Sequence, residues 1–570
     1  MVLFSYKRKK YISFPIPMGV ERVRTPSAYF FGTFFRTSEK SAVRPPAILA
    51  DEQVKKSNSF PALFFKRKAH KTSFSHKRYC VMPYKNERLE TYKKFLYGKT
   101  ASVIGVGISN IPLIKFLIKN GVKVTARDKR SIEEISSNPA FDKTITESEN
   151  VRFVTGENYL KNIKEEIIFK SPGVRFDKPE ITEAYNNGSL VTSEMEAFLS
   201  LCPSKIITVT GSNGKTTTTS LVAQILRNAG KKVWLGGNIG TPLLQYIEEI
   251  LPEDFTVLEL SSFQLHTVNR FENPSLPFAK LSFPDVGIIT NISPNHLDWH
   301  TDMDEYADSK KAVFKYIKNG GVFVTNRQSD EYCEKFAQEA RDAGINVRTF
   351  SAYDGVPKNG AGLSEDGYIC LDGEKIISAS EMLLPGFHNV ENLMAAMLAV
   401  KDFVPAEAFV KTAHTFTGVE HRLQLIAEHA DVKFYNSSID SSPSRTAAAL
   451  SCFDESYNGK INIILGGYDK HIPFDTLAKP ICEKKCRAFI TGATADKIYE
   501  AISSYENYNP NETWLVKCPC FDAAVRAACS AALPGDVVLL SPACASFDEF
   551  SNFEQRGKRF AELVKAFISE

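Results

Sequence analysis

The segment that most constrains this chain is Lys205-Ile206-Ile207-Thr208-Val209-Thr210, which runs into Gly211-Ser212-Asn213-Gly214-Lys215-Thr216-Thr217. A short apolar run stopped by glycines reads as a buried strand, and the apolar periodicity that follows through Leu226 reads as a helix. Strand, glycine loop, Lys-Thr and helix make a phosphate cradle. Backbone N–H groups hold the phosphates, Lys215 reaches the outer ones and the Thr216 hydroxyl faces a magnesium ion. The full Walker spacing asks for a glycine at 209, where Val209 stands, so this is the shorter Gly-x-x-Gly-Lys-Thr form. A chance glycine turn would leave Lys-Thr at a helix start unexplained. A nucleoside triphosphate site is therefore expected.

Two further apolar strands end in polar groups. Phe255–Leu258 leads into Glu259-Leu260-Ser261-Ser262, and Val286–Thr290 leads into Asn291 and, five residues on, His296. In a parallel sheet the C-terminal strand ends face the ligand crevice, so Glu259 and His296 can join Thr216 around a metal. Glutamate suits Mg²⁺, whereas histidine is an unusual ligand for a hard cation. Upstream, Ala101–Ile104 runs into Gly105-Val106-Gly107-Ile108-Ser109-Asn110, then an apolar helical pattern and a strand from Val122 to Arg127 that ends at Asp128. That is a dinucleotide-type layout with Asn110 in the place of the third glycine. A second loop, Phe169-Lys170-Ser171-Pro172-Gly173-Val174, could face the same crevice or be an ordinary Pro-Gly turn.

Composition separates one end of the chain from the rest. The first 81 of 570 residues carry 17 Lys/Arg against 4 Asp/Glu and hold 10 of the 40 Phe, with no sustained periodicity. A transit peptide, a nucleic-acid-binding tail and a start codon assigned too far upstream of Met82 all compete for this segment, and it is left out of the fold. The remaining 489 residues are mildly acidic, 53 Lys/Arg against 62 Asp/Glu, which gives no reason to expect nucleic-acid binding. No stretch approaches the ~18 consecutive apolar residues of a membrane span. Eleven scattered cysteines, with Cys482/Cys486 and Cys518/Cys520 lacking a partner pair at zinc spacing, read as reduced thiols of a cytoplasmic protein.

Together these segments resemble the Mur ligase family, ATP-dependent enzymes that add amino acids to the peptide of the bacterial cell-wall precursor. The resemblance rests on Thr210–Thr217, Gly237-Asn238-Ile239-Gly240, Glu259-Leu-Ser-Ser-Phe-Gln264, Asn291 to His296, Leu384-Pro-Gly-Phe-His-Asn389 with Asn392, and His421-Arg422. It covers the chain from about Met82 to the end. Gly105-x-Gly107 with Ser109 and Asn110, Lys170-Ser-Pro-Gly173, Gly466-Gly-Tyr-Asp-Lys470, Leu540–Phe550 and Asn552–Gly557 look most like the branch that adds D-glutamate.

The resemblance implies an α/β chain of three domains: a Rossmann-like UDP-binding domain at 82–198, a central P-loop ATPase-type domain at 199–416 and a Rossmann-like C-terminal domain at 417–570. It implies ATP bound by Gly211, Ser212, Asn213, Gly214, Lys215, Thr216 and Thr217 with Asn389, Asn392 and Arg422. One Mg²⁺ is implied near Thr216 and Glu259 and a second near His296 and a carbamylated Lys310, which follows Tyr306 at the family's spacing; Lys215, His296 and Lys310 are the implied catalytic residues. Gly105, Gly107, Ser109, Asn110, Asp128, Ser171, Pro172, Gly173 and Asn238 are implied for UDP-N-acetylmuramoyl-L-alanine, and Lys470, Ser546 and Phe553 for D-glutamate held away from water. His388 and His421 could equally be structural histidines and are left out of the site. The family's Asp-Ser-Lys-Ala-Thr-Asn stretch reads Ser437-Ser438-Ile439-Asp440-Ser441-Ser442 here, so its acid and lysine are absent and Asp440 and Ser441 are left to take over the polar role. A monomer acting on small molecules is expected. A sister ligase with another amino acid is the alternative; an NAD-dependent oxidoreductase leaves Gly214-Lys215-Thr216 unexplained.

Overall fold

The protein is seen as a computed structural model that describes residues 84–137, 141–270, 284–453, 459–470 and 472–570. The basic extension at 1–81 lies outside the described residues. Three sheets follow one another along the chain. The first comprises β1 (Thr100–Ile104), β2 (Lys123–Asp128), β3 (Val151–Thr155), β4 (Ile167–Lys170) and β5 (Leu190–Thr192), in the order β3-β2-β1-β4-β5. All its pairings are parallel. The strand order reverses between β1 and β4, and the crevice outside that point is where such sheets bind ligands.

The central sheet holds β6 (Lys205–Thr210), β7 (Val233–Gly237), β8 (Phe255–Glu259), β9 (Val286–Ile289), β10 (Val322–Asn326), β11 (Asn346–Ser351), β12 (Ala361–Leu363), β13 (Tyr368–Leu371) and β14 (Glu374–Ser378). Its order is β14-β13-β12-β11-β10-β9-β6-β8-β7, with antiparallel pairing only at β12–β13–β14 among the described strands. β6 and β8 are buried at nearly every position, as strands covered on both faces must be. The helices Lys215–Asn228 and Phe387–Val400 pack together on one face, and Leu221, Ile225, Leu393 and Met397 are buried in one cluster there.

The third sheet comprises β15 (Gln424–His429), β16 (Val432–Asn436), β17 (Ile461–Gly466), β18 (Arg487–Thr491), β19 (Trp514–Lys517) and β20 (Val537–Leu540), in the order β15-β16-β20-β17-β18-β19. Only the β15–β16 pair is antiparallel. Ten cysteines are free among the described residues, and only Cys518 and Cys520 of them are not buried. No helix of the described residues is long and apolar enough to cross a membrane.

Candidate active site

Each piece of the phosphate cradle sits where its local sequence demands. β6 ends at Thr210, and Gly214 begins the next helix in the left-handed region at φ 77°. A Cβ there would run into the Asn392 side chain, so only glycine fits. Asn392 is locked in turn: Thr218 Oγ1 donates to its Oδ1 at 3.1 Å, and its Nδ2 donates to Asn389 Oδ1 at 3.2 Å. The two asparagines share a face of the helix Phe387–Val400, as their i, i+3 spacing predicts. Lys215 folds over the loop, with Nζ donating to Ser212 O at 2.9 Å.

A cleft of about 620 Å³ opens above this loop. Gly211 to Thr217, Asn238, Glu259, His296, Lys310, Asn389, Asn392 and Arg422 all line it, so residues spread over more than two hundred positions converge. Glu259, at the end of β8, is 2% exposed. Asn238 Nδ2 donates to its Oε1 at 2.9 Å, while its buried Oε2 has no hydrogen-bond partner. A buried anionic oxygen left unpaired carries a desolvation cost that a hard cation removes. With the Thr216 hydroxyl on the same cleft, the donors present fit Mg²⁺. Asn238, expected among the substrate contacts, is placed to orient this carboxylate.

Lys310 is not a surface charge. It is 1% exposed at the end of the helix Met303–Lys310, with Nζ donating to Gly211 O at 3.1 Å and lying 4.6 Å from the centre of the Tyr306 ring. Burial and the nearby Lys215 hold its amine well below the ordinary lysine range. His296 has a left-handed backbone at φ 55°, and its ring lies 4.7 Å from that of Phe263. Burial together with Lys215 and Lys310 lowers its pKa, favouring the neutral imidazole that metal binding requires.

The C-terminal domain closes the cleft with Arg422, Ile439, Asp440 and Arg445. Ser437, Ile439 and Asp440 of the divergent loop thus line the cleft. Burial pushes the Asp440 carboxyl up to about 6, and Ser541 Oγ donates to it at 2.8 Å. Arg445 is a residue that sequence reasoning missed. Pro443 opens a helix there and places Arg445 in its first turn, close enough to lower the pKa of both Lys215 and Arg422. Three cations crowded around one cleft are the arrangement a polyphosphate relieves. His388 also lines the cleft, 3.5 Å from Cys452 Sγ, whereas His421 accepts a hydrogen bond from Asn436 inside the domain.

The first domain brings its two loops together. Gly105, at φ 86°, abuts Ser171, and a Cβ on Gly105 would meet Ser171 Oγ at 2.7 Å. Gly107 and Gly173 have open space beside them. Asn110 is buried, and its Nδ2 donates to Gly105 O at 2.8 Å, so its amide ties the turn from within. Asp128 acts similarly: Val106 N donates to it at 2.7 Å and Arg130 pairs with it at 2.8 Å. Ser109 and Pro172 stand in the same two loops.

Lys470, Ser546 and Phe553 lie outside the lining of the cleft. Phe553 opens the last helix, its ring 6.1 Å from that of His421, and Ser546 is 2% exposed. Lys470 reaches the divergent loop, 3.3 Å from Ser441 Oγ. It is exposed. Side-chain entropy and hydration keep this ammonium on the surface of the domain.

The comparisons with known proteins bear on the whole described fold. Residues 99–193 match the Mur ligase MurD-like N-terminal domain, 209–400 the Mur ligase middle domain and 421–544 the Mur ligase glutamate ligase domain. A UDP-N-acetylmuramoylalanine--D-glutamate ligase of Clostridium kluyveri is 45% identical over 476 residues, covering 83% of this chain and 98% of that protein. A protein of the same name from Acetivibrio thermocellus is 45% identical over 488 residues, 84% of this chain and 99% of that one. Three sheets in sequence, a phosphate loop at the end of β6 and a cleft shared by the second and third domains are thus accounted for by one ancestry: the chain belongs to the Mur ligase family.

Proposed function

We propose that this chain is a cytoplasmic, monomeric ligase that uses ATP to join D-glutamate to UDP-N-acetylmuramoyl-L-alanine in peptidoglycan precursor synthesis. What supports it best is the shared cleft, in a chain matched along 98–99% of ligases that carry that activity in their names. A carboxylate does not acylate an amine at neutral pH, because its oxygen is a poor leaving group. In this reading the alanyl carboxylate oxygen attacks the γ-phosphorus of ATP, and ADP leaves to give an acyl phosphate. The D-glutamate ammonium gives up one proton to solvent, its nitrogen attacks the acyl carbon, the carbon–oxygen bond to phosphate breaks, and the second N–H proton leaves with the phosphate or to solvent. Backbone N–H groups of 211–217 and the Lys215 ammonium hold the phosphates, with Arg422 and Arg445 across the cleft. Asn389 and Asn392 wall the nucleotide side. Mg²⁺ held by Thr216 and Glu259, and a second ion by His296 and a carbamate on Lys310, would offset charge on the transferring group. Gly105, Gly107 and the loop Ser171–Gly173 receive the UDP end, and Lys470, Ser546 and Phe553 the amino acid. The domain limits 82–198, 199–416 and 417–570 follow from the same reading.

The test is phosphate release from ATP with UDP-N-acetylmuramoyl-L-alanine, offering D-glutamate, L-lysine and L-alanine in parallel. Release with D-glutamate alone is expected; a preference for L-lysine or L-alanine rejects the assignment in favour of a sister ligase. Lys470→Ala should raise the KM for D-glutamate about 10- to 100-fold, the equivalent of one charged hydrogen bond, and leave that for ATP unchanged. An unchanged glutamate KM removes Lys470 from the amino-acid site.

A further inference from the structure

The loop that carries Ser171 to Gly173 is bound to the central domain by a charged pair, Arg175 and Glu305. Arg175 donates from Nη1 and Nη2 to the two carboxylate oxygens of Glu305, at 3.1 and 3.2 Å, and from Nη1 to Trp299 O at 2.7 Å. Its guanidinium lies 4.9 Å from the Trp299 ring, and Trp299 Nε1 donates to Gly173 O at 3.0 Å. Forked contacts of this kind fix direction as well as distance.

Both ends of this pair lead to the reaction centre. Glu305 sits in the helix Met303–Lys310, whose Tyr306 hydroxyl meets Ser212 Oγ of the phosphate loop at 2.8 Å and whose last residue is Lys310. Glu305 also accepts from Thr301 N at 2.8 Å. Trp299 N and His300 N both donate to His296 O, at 3.1 and 2.9 Å, closing the turn that holds His296 in its left-handed conformation. Arg175 and Glu305 do not line the cleft, so they act through other residues. Their side chains are 19% and 13% exposed. A partly buried ion pair adds little net stability over apolar packing; registry is its best-attested use.

We infer that Arg175 and Glu305 are a positioning pair that holds the substrate loop of the first domain in register with the His296 turn and the Lys310 helix. This inference rests on the reading that the loop receives the UDP-linked substrate. A displacement of about 1 Å at a reacting centre can cost about 100-fold in rate. Arg175→Ala should therefore lower kcat/KM for UDP-N-acetylmuramoyl-L-alanine about 10- to 100-fold. Its Kd for that substrate, read by calorimetry without turnover, should weaken about tenfold, while the KM values for ATP and D-glutamate stay within about twofold. Arg175→Lys keeps the charge without the fork and should recover part of the loss. The double variant Arg175→Ala/Glu305→Ala should lose less than the product of the two single losses, because their shared ion pair is already gone in either one. Arg175 also pairs with Asp177 and Glu305 with His266, so a part of each loss is its own. Losses that multiply in the double variant, or an ATP KM that rises as much as that of the UDP substrate, overturn the inference. If Arg175→Ala does not fold, Arg175→Lys and Glu305→Gln are read by the same measurements. A parent enzyme that binds the UDP substrate but shows no D-glutamate-dependent phosphate release rejects the assigned function, and the calorimetric comparison still decides the role of the pair.

Discussion

Lys310→Ala is expected to lose D-glutamate-dependent phosphate release by about 100-fold or more, and to regain part of it when acetate or formate is added. The lysine is buried beside Gly211 O and the Tyr306 ring, and its amine is held well below the ordinary range. An unprotonated amine can attack carbon dioxide: a nitrogen–carbon bond forms, one N–H proton goes to solvent, and the side chain ends in an anionic carbamate. Such a carbamate would offer a pair of oxygen ligands, the donor type that hard cations prefer. A small carboxylate diffusing into the space left by alanine restores such oxygens without the tether. Full activity of a folded Lys310→Ala variant, with no response to acetate, would show that this lysine has no part in the reaction.

Lys215→Ala is expected to cost about 100- to 1,000-fold in kcat with the fold intact. Burial and the neighbouring Arg422 and Arg445 pull the Lys215 ammonium below its ordinary range, against the pull of Glu259, so its charge sits in a site already crowded with cations. Such a site is poorly settled until a polyphosphate enters, and the interaction then strengthens as charge shifts onto the leaving oxygens. Near-normal phosphate release by a folded Lys215→Ala protein rejects the phosphate-loop assignment. Circular dichroism on the same sample separates loss of chemistry from loss of fold.

What was legible in the sequence was local. The β6–loop–helix unit, the strand ending at Glu259 and the i, i+3 asparagines each lie within one short window, where periodicity and spacing fix direction. Features decided by packing were not. Lys310 and Lys311 are neighbours of equal charge, and about 100° of helix rotation sends one inward and the other to Asp308 and Glu339 on the surface. Nothing in the chain before folding tells them apart; only the Tyr-to-Lys spacing of the family selected Lys310. Arg175 and Glu305 are separated by 130 positions, so their meeting is a property of the assembled domains. Asn110 looked like a departure from a glycine pattern, whereas its buried amide replaces lost backbone freedom with a hydrogen bond. That Lys470 reaches Ser441 from an exposed position is likewise decided by packing and not by its local sequence.

The cleft takes its floor from residues near 215 and its far wall from residues near 422 and 445. At translation rates of about 5–20 residues per second, the ribosome needs about 10 to 40 s to travel from one to the other. During that interval a nascent chain can already fold the central sheet and its glycine loop, yet it has no opposing arginines and no Asp440. Both walls of the cleft are therefore present only once residue 445 has been made, and a chain truncated before residue 422 lacks the second wall.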